Sequence, residues 1–497
     1  MTLITRYRKL TALWQPKLSH QILMVLFSAL VIGCSNKPEQ WLDKTSLALP
    51  NSYPGQVYLI PDAPSALAHR IQAVRDAQAY IEAEYFSWAG DVSGMTLWQE
   101  LRAAADRGVE VRIIVDDLLF FDDKWLVDID THPNLSIMIF NPFNARKLGW
   151  LTRAADFEMH RDKLNHRLHE KYFNVDGEVM ILGGRNIGDD YFGYSPEANF
   201  FDLDVMVKGE VITEYEHNFD NLWASQLTVP VSEVIDFNLK KHSGSFDKSH
   251  GKVMSENRPL QESISRKVSA LPKPDYIGAS LTPIFDSARK RTDSQSYLRK
   301  RIEHLANVNQ WPVEELFLST PYMIESDEHQ ALFSGLAERE VEVTVLTNSV
   351  ASNDSPFASA YYQAYRPALM AKGIQIYEYD SHALHYSNFY NANAYYHNKA
   401  FIADNTISFI GSSNFDPRSD MTNLELGLLI ESQVFATELK TYLLGSHKDK
   451  FWLVEQAEGE GYVWFKQDEV SHNEPRMKSE KRLINGFYRM LKIQNEL

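Results

Sequence analysis

The chain has 497 residues, is 44% hydrophobic and 23% charged, and carries a formal net charge of −16. That length supports more than one unit of core, and that composition excludes a disordered chain. The acidic balance disfavours a nucleic-acid partner, whose binding runs on clustered Lys and Arg, and a single cysteine excludes an intramolecular disulfide.

The first predicted element is a targeting segment, residues 1–33. Arg6, Arg8, Lys9 and Lys17 precede an apolar run from Ile22 to Gly33, and no Asp or Glu interrupts the stretch. A bilayer span needs about 20 apolar residues, so this shorter run reads as a secretory signal peptide. Val31-Ile32-Gly33-Cys34 resembles the bacterial lipoprotein cleavage box. That resemblance implies an acylated Cys34 as the first mature residue, and a mature chain made still more acidic by loss of the four basic residues before it. It implies a protein anchored by lipid in the bacterial cell envelope, facing the periplasm. Ser35 resembles an outer-membrane sorting signal. Residues 34–60 read as a polar tether.

An α/β pattern follows in a first lobe, 61–235. Ala63–Ala77 has helical spacing, Tyr80–Trp88 reads as a strand and Gly94–Asp106 as a helix. Val109–Val115 and Leu135–Phe140 are β-branched or apolar strands. Helices alternating with strands predict crossovers on a largely parallel sheet. A second lobe, 306–460, repeats the order. Glu315–Met323, Val341–Thr347 and Ile374–Tyr379 read as strands, and Glu328–Glu338 and Ser355–Lys372 as helices. Such internal duplication suits two similar lobes facing each other. Residues 236–305 read as a polar linker with a helical part at Gln295–Leu305. The tail, 461–497, is basic and amphipathic: Leu483, Ile484, Phe487, Met490 and Leu491 share a helical face, while Lys481, Arg482, Arg489 and Lys492 lie mostly elsewhere. It suits either an anionic membrane surface or the protein's own body.

H-x-K-x-x-x-x-D occurs twice, as His169, Lys171 and Asp176 and as His397, Lys399 and Asp404. The surroundings repeat too. Gly183 follows His169 at the same interval as Gly411 follows His397. Asn186 and Asn414 likewise stand at equal distances after their histidines. In a strand, residues i and i+2 face one side, so each His–Lys pair points into one pocket. Asp176-Gly177 and Asp404-Asn405 form turns, and the returning strands bring Asn186 and Asn414 back beside the pairs. Lysine charge and amide donors match the developing charge of a phosphodiester under attack. One imidazole can attack phosphorus while the other protonates the leaving alcohol. Neither cofactor nor metal is expected, since a protonated Lys beside the site disfavours a cation. Asp176 and Asp404 complete the motif, although their turn positions suit a structural role. His160, His166, His382 and His385 belong to the ordinary class of packed or surface histidines. Phe200–Gly209 and Asn423–Ser432 read as buried strands carrying an acid, and aligning them sets Asp202 against Glu425. Both are expected to orient the histidines.

These residues resemble the phospholipase D superfamily over roughly 60–460. FNPF (Phe140–Phe143), HEKYFNVDG, GGRNIGDDYFG (Gly183–Gly193), DLDVMVKG, LTNSVASND (Leu346–Asp354) and IGSSNFDPRS (Ile410–Ser419) are similar to bacterial cardiolipin synthases, the type C enzymes in particular. The resemblance implies two pseudo-symmetric α/β/α sandwich lobes sharing one active site at their interface. It implies phosphatidyl transfer between phospholipids through a phosphohistidine, with His169 as nucleophile, His397 as general acid, and both motif aspartates in the catalytic set. The alternatives are hydrolysis to phosphatidic acid, a nuclease, or a non-catalytic lipid-binding envelope protein. The Tyr- and Asn-rich approach to His397 departs from the family pattern.

Overall fold

The computed structural model describes residues 49–119, 123–145, 150–236, 238–293, 295–457 and 461–477, together with 485 and 488. The signal segment, Cys34 and the first part of the tether lie outside the described residues.

The first lobe contributes β1 (Tyr53–Leu59), β2 (Tyr80–Tyr85), β3 (Glu110–Asp116), β4 (Leu135–Phe140), β5 (Lys171–Val175), β6 (Val179–Gly183), β7 (Ala198–Phe201), β8 (Asp204–Gly209) and β9 (Thr228–Pro230). The second contributes β10 (Ile277–Phe285), β11 (Glu315–Ser319), β12 (Glu342–Asn348), β13 (Gln375–Tyr379), β14 (Asn393–Tyr396), β15 (Ala400–Ala403), β16 (Ile407–Gly411), β17 (Leu426–Glu431) and β18 (Phe451–Gln456). The hairpin β19 (Tyr462–Lys466) and β20 (Glu469–Ser471) extends its edge.

The pairing is a palindrome about its centre. From the middle outward, β1 pairs β8, β8 pairs β6, β6 pairs β5, β5 pairs β2, and β3, β4 and β9 follow. On the other side β10 pairs β17, then β16, β15, β11, β12, β13 and β18. The two halves join where β1 pairs β10. This sheet is therefore mixed, not largely parallel: among its described strands β2-β3-β4 and β11-β12-β13 run parallel and the other pairs antiparallel. The two Asp turns fold each motif strand back as an antiparallel hairpin, which inserts antiparallel strands beside each parallel triplet.

The helices start where capping side chains permit. Asp91 accepts from Gly94 N to open Val92–Asp106, and Ser326 accepts from His329 N to open Asp327–Glu338. An apolar core continues from one lobe into the other, through Leu168, Tyr172, Leu182 and Phe201 on one side and Tyr396, Ile402, Leu426 and Leu428 on the other. Fully burying such a side chain stabilises by about 1.5–3 kcal/mol, so contacts between the lobes add to the stability of both.

Three boundaries differ from the sequence reading. The tether expected through residue 60 contains β1, held on both edges by β8 and β10. The linker expected over 236–305 contains β10 and the helices Ser245–Glu256 and Arg258–Ser269. Their sparse apolar residues, Phe246, Met254, Leu260, Ile264 and Val268, join the first lobe's core. The helical part is Tyr297–Asn309. The tail begins with the β19–β20 hairpin. Further along it, Asn485 and Tyr488 are buried: Asn485 donates to Ser359 Oγ at 3.4 Å, and the Tyr488 ring lies 4.2 Å from that of Phe357. Both partners belong to the helix Pro356–Met370. Among the described residues, no helix is long and apolar enough to cross a membrane.

Candidate active site

Each motif histidine stands just before a hairpin strand, two residues ahead of β5 and three ahead of β15, and each is clasped by the opposite lobe. His169 N donates to Leu424 O, and His397 N donates to Phe201 O, both at 2.9 Å. The second contact ends a parallel ladder in which β14 runs beside β7, pairing Tyr396 with Phe201. The residue before each His is pinned from its own lobe. Asp116 Oδ2 accepts from Leu168 N at 2.9 Å, and Asn348 Oδ1 accepts from Tyr396 N at 2.8 Å.

The orienting acids cross over. His169 Nδ1 lies 2.9 Å from both Glu425 oxygens, and His397 Nδ1 lies 2.6 Å from Asp202 Oδ2. Nδ1–H donates in each case, which leaves Nε2 of each ring to carry either a lone pair or a proton toward the site. Glu425 is further fixed by the hydroxyls of Ser412 (2.5 Å) and Ser419 (2.8 Å) and by the Asn423 amide (3.3 Å). Asp202 accepts from Leu203 N at 2.8 Å. The two supports differ for a visible reason. Ser412 directly follows Gly411 in the second repeat, and Gly184 directly follows Gly183 in the matching place of the first. A Cβ on Gly184 would stand 2.3 Å from Asp202 Oδ1, so only glycine fits there.

Lys171 and Lys399 are buried and donate to the carbonyls of their own histidines, each at 2.6 Å. Lys399 Nζ also lies 2.9 Å from His397 Nδ1, but that nitrogen's hydrogen is committed to the stronger carboxylate acceptor. Burial lowers Lys171 to about 7 and Lys399 to about 8. Burial, then the charges of Lys171, Lys399 and His397, hold His169 well below the usual imidazole range. Groups of both motifs thus act on one another within one site. His397 is lowered by burial and Lys399, against the pull of Asp202. Burial pushes Glu425 up; Asp202, also buried, is held below the usual range by Lys399, His397 and Arg185.

Asn186 is tied to Tyr191, whose ring faces His397, and Asn414 N donates to Ser419 Oγ, which also serves Glu425. Asn186 Nδ2 donates to Tyr191 Oη at 3.0 Å, and its Oδ1 accepts from Ser87 N at 3.2 Å. Asn414 Oδ1 is buried with no hydrogen bond. Aromatic rings wall the histidines: Phe86 lies 5.3 Å from His169, and Phe200 and Tyr191 lie 5.0 and 5.5 Å from His397. Exposed Asp354 accepts from Tyr322 Oη at 2.9 Å, and its charge bears on His397 and Lys399.

The motif aspartates stand elsewhere, which corrects their place in the catalytic set. Asp176 has φ of 58° and accepts from Gln78, Ala79 and Tyr80 N, each at 2.8 Å. Asp404 has φ of 51° and accepts from Val313, Glu314 and Glu315 N at 2.8–3.2 Å. Each carboxylate ties its hairpin turn to the start of a neighbouring strand, at the far end from the histidine. The other histidines are packed or at the surface. Exposed His160 contacts Asp156, His166 Nδ1 donates to Thr422 O, and the His385 ring lies tilted 4.6 Å from that of Phe201. The backbone N of His382 donates to Asp380. Spacing alone missed Ser412, Ser419 and Asp354, although all three fall inside the family-like strings.

A family model described as cardiolipin synthase, PLD-like domain, matches residues 70–223 and 309–445, more than half of the chain. The chain belongs to this phospholipase D-like family. Cardiolipin synthase C of Escherichia coli K12 is 32% identical over 426 residues, spanning 82% of this chain and 88% of that protein. A cardiolipin synthase of Clostridium perfringens is 23% identical over 76% of this chain and 67% of its own. The crystal structure of phosphatidylserine synthase from Haemophilus influenzae covers 92% of this chain and 100% of its own, with a TM-score of 0.59 at 14% identity. That likeness shows the shared fold. The expected family and two-lobed α/β architecture are the observed ones, and the family identifies the protein as a phospholipid-modifying enzyme of the phospholipase D type.

Proposed function

We propose that the protein transfers phosphatidyl groups between alcohols, in the manner of a cardiolipin synthase, through a phosphohistidine at His169. The observation that carries this reading is the crossed pair of His–carboxylate contacts in one buried, lysine-flanked site. Glu425 fixes the Nδ1–H tautomer of His169, so Nε2 is free to attack phosphorus. Neutral His169 is favoured by its burial and by the surrounding cations. Asp202, held charged, opposes the burial that lowers His397, and an arriving phosphodiester anion draws that ring toward imidazolium. As the P–N bond forms and the P–O bond breaks, His397 Nε2–H gives its proton to the leaving oxygen. An acceptor hydroxyl then returns a proton to His397 while its oxygen attacks phosphorus, and the electron pair goes back to His169. Lys171, Lys399, Asn186 and Asn414 donate toward the non-bridging oxygens, where negative charge develops. An arriving phosphodiester anion restores the full charge of the two lysines.

The aromatic walls exclude water and favour an alcohol acceptor over hydrolysis. An acyl chain on Cys34, made the first residue by removal of the signal segment, would hold the site at a membrane facing the periplasm, in keeping with a lipid substrate. Purified protein incubated with labelled phosphatidylglycerol and phosphatidylethanolamine is expected to yield a two-phosphate lipid, with His169→Ala inactive. Added glycerol is expected to divert the product. Cleavage of DNA without lipid turnover would replace this reading with a nuclease. Fatty-acid labelling lost in Cys34→Ala tests the anchor.

A further inference from the structure

Glu425, the acid that serves His169, is itself supported by a segment outside both repeats. Directly after β10 stand Asp286 and Lys290, each 1% exposed. Lys290 Nζ donates to Asp286 Oδ2 at 2.5 Å and to the Ser419 carbonyl at 2.6 Å. Asp286 Oδ1 accepts from Leu298 N at 2.9 Å. Two backbone contacts tie Asp286 to the acid: Asp286 N donates to Glu425 O at 2.8 Å, and Glu425 N donates to Asp286 Oδ2 at 3.2 Å.

Ser419 carries the linkage onward. Its hydroxyl donates to Glu425 Oε1 at 2.8 Å and accepts from Asn414 N at 3.1 Å. A lysine that fixes Ser419 therefore fixes an orienting acid and an amide donor together. Removing an ion pair's charges from water costs several kcal/mol per ion. A pair used only to hold β10 to β17 would not need that, because their ladder already does so. The Asp202 half is built differently. There Arg185 donates to the Asp202 carbonyl and lies beside Asp204, which pairs with Arg70 at 2.9 Å.

We infer that Lys290 and Asp286 are positioning residues for the His169 half of the site, setting Ser419 and Glu425 so that Glu425 holds His169 in its Nδ1–H form. The inference deepens the phosphatidyl-transfer reading, and its kinetic consequence rests on that reading. The charged groups around the pair of His169 and Glu425 are the cations Lys171, Lys399, Arg418 and Lys290, with His397, and the acids Asp286, Glu170 and Asp416. After Lys171, Lys290 is the cation that holds Glu425 charged. Without it, Asp286 pushes Glu425 toward its protonated form, whose grip on Nδ1–H is weaker.

The test is histidine side-chain NMR on the full chain labelled with ¹³C and ¹⁵N in histidine, with His169→Gln and His397→Gln assigning the signals. This readout needs no substrate, so it stands apart from the lipid assay. In Lys290→Met, the minor Nε2–H tautomer of His169 is expected to rise about tenfold, the scale of weakening one hydrogen bond to a charged group, while His397 keeps its tautomer. Ser419→Ala, a milder change, is expected to act in the same direction. Wild-type tautomer populations at His169 in both variants would overturn the inference. So would equal changes at His169 and His397, which mark general loosening.

Discussion

The carboxylate of Asp202 and the ring of His397 meet at 2.6 Å across 195 residues of chain and across the boundary between the lobes. Glu425 and His169 make the reciprocal contact across 256 residues. Neither lobe alone contains a complete His–acid pair. Asp202→Asn and Glu425→Gln keep the shape of each acid but favour the wrong tautomer of its histidine. Each is expected to lower kcat on the order of 10²–10⁴-fold with secondary structure unchanged, as for other tautomer-fixing acids. Near-wild-type kcat in both variants would show that the crossed contacts have no part in the chemistry.

The pH dependence should split between free and bound enzyme. Burial depresses Lys171 to about 7 and Lys399 to about 8. Both lysines lose charge as pH rises through those values, so kcat/KM falls on the alkaline side. A bound phosphodiester anion favours the charged forms, so the alkaline limb of kcat lies at higher pH. Lys399→Arg, whose charge does not titrate in this range, should make the kcat/KM limb shallower and leave only the fall through about 7 that belongs to Lys171. Initial rates from mildly acidic to alkaline pH check this; coincident alkaline limbs would refute it.

Gly184 should tolerate no side chain. In Gly184→Ala the new methyl meets the Asp202 carboxylate at 2.3 Å and 2.6 Å, so the acid must move away from His397. The expected loss of kcat matches that of Asp202→Asn, and combining the two should add little. Full additivity would place the effect of Gly184 elsewhere.

The motif aspartates should behave as structural residues. Asp404→Ala removes the acceptor for three backbone N–H groups, and hydrogen bonds to a charged group contribute about 1.5–3 kcal/mol each. Urea unfolding should show a lower midpoint, while kcat per folded molecule stays near wild type. Asp176→Ala should follow. A large kcat loss at unchanged stability would return these residues to the catalytic set.

Much of this arrangement was legible because each motif strand is short, apolar and ended by a turn. The i, i+2 spacing put His169 with Lys171 and His397 with Lys399, and the equal offsets to Asn186 and Asn414 marked the returning strands. The crossing of the acids was not legible. Asp202 follows His169, and Glu425 follows His397, at similar intervals along the chain, and such intervals suit a partner in the same lobe equally well. β1 was hidden because Pro54 and Gly55 are poor strand residues, and its stability comes from pairing on both edges. The helix Arg258–Ser269 was hidden by polarity: only Leu260, Ile264 and Val268, one helical turn apart, form its buried face. Lys290 was hidden because a lone lysine in a polar segment reads as solvated.

The most direct test is to quench the full-length enzyme with labelled phosphatidylglycerol within one turnover and map the lipid adduct by peptide mass spectrometry. A phosphatidyl group on the His169 peptide, lost in His169→Ala and trapped longer in His397→Ala, is the predicted result. Turnover with the adduct on His397 alone, or with none at any histidine, would contradict it.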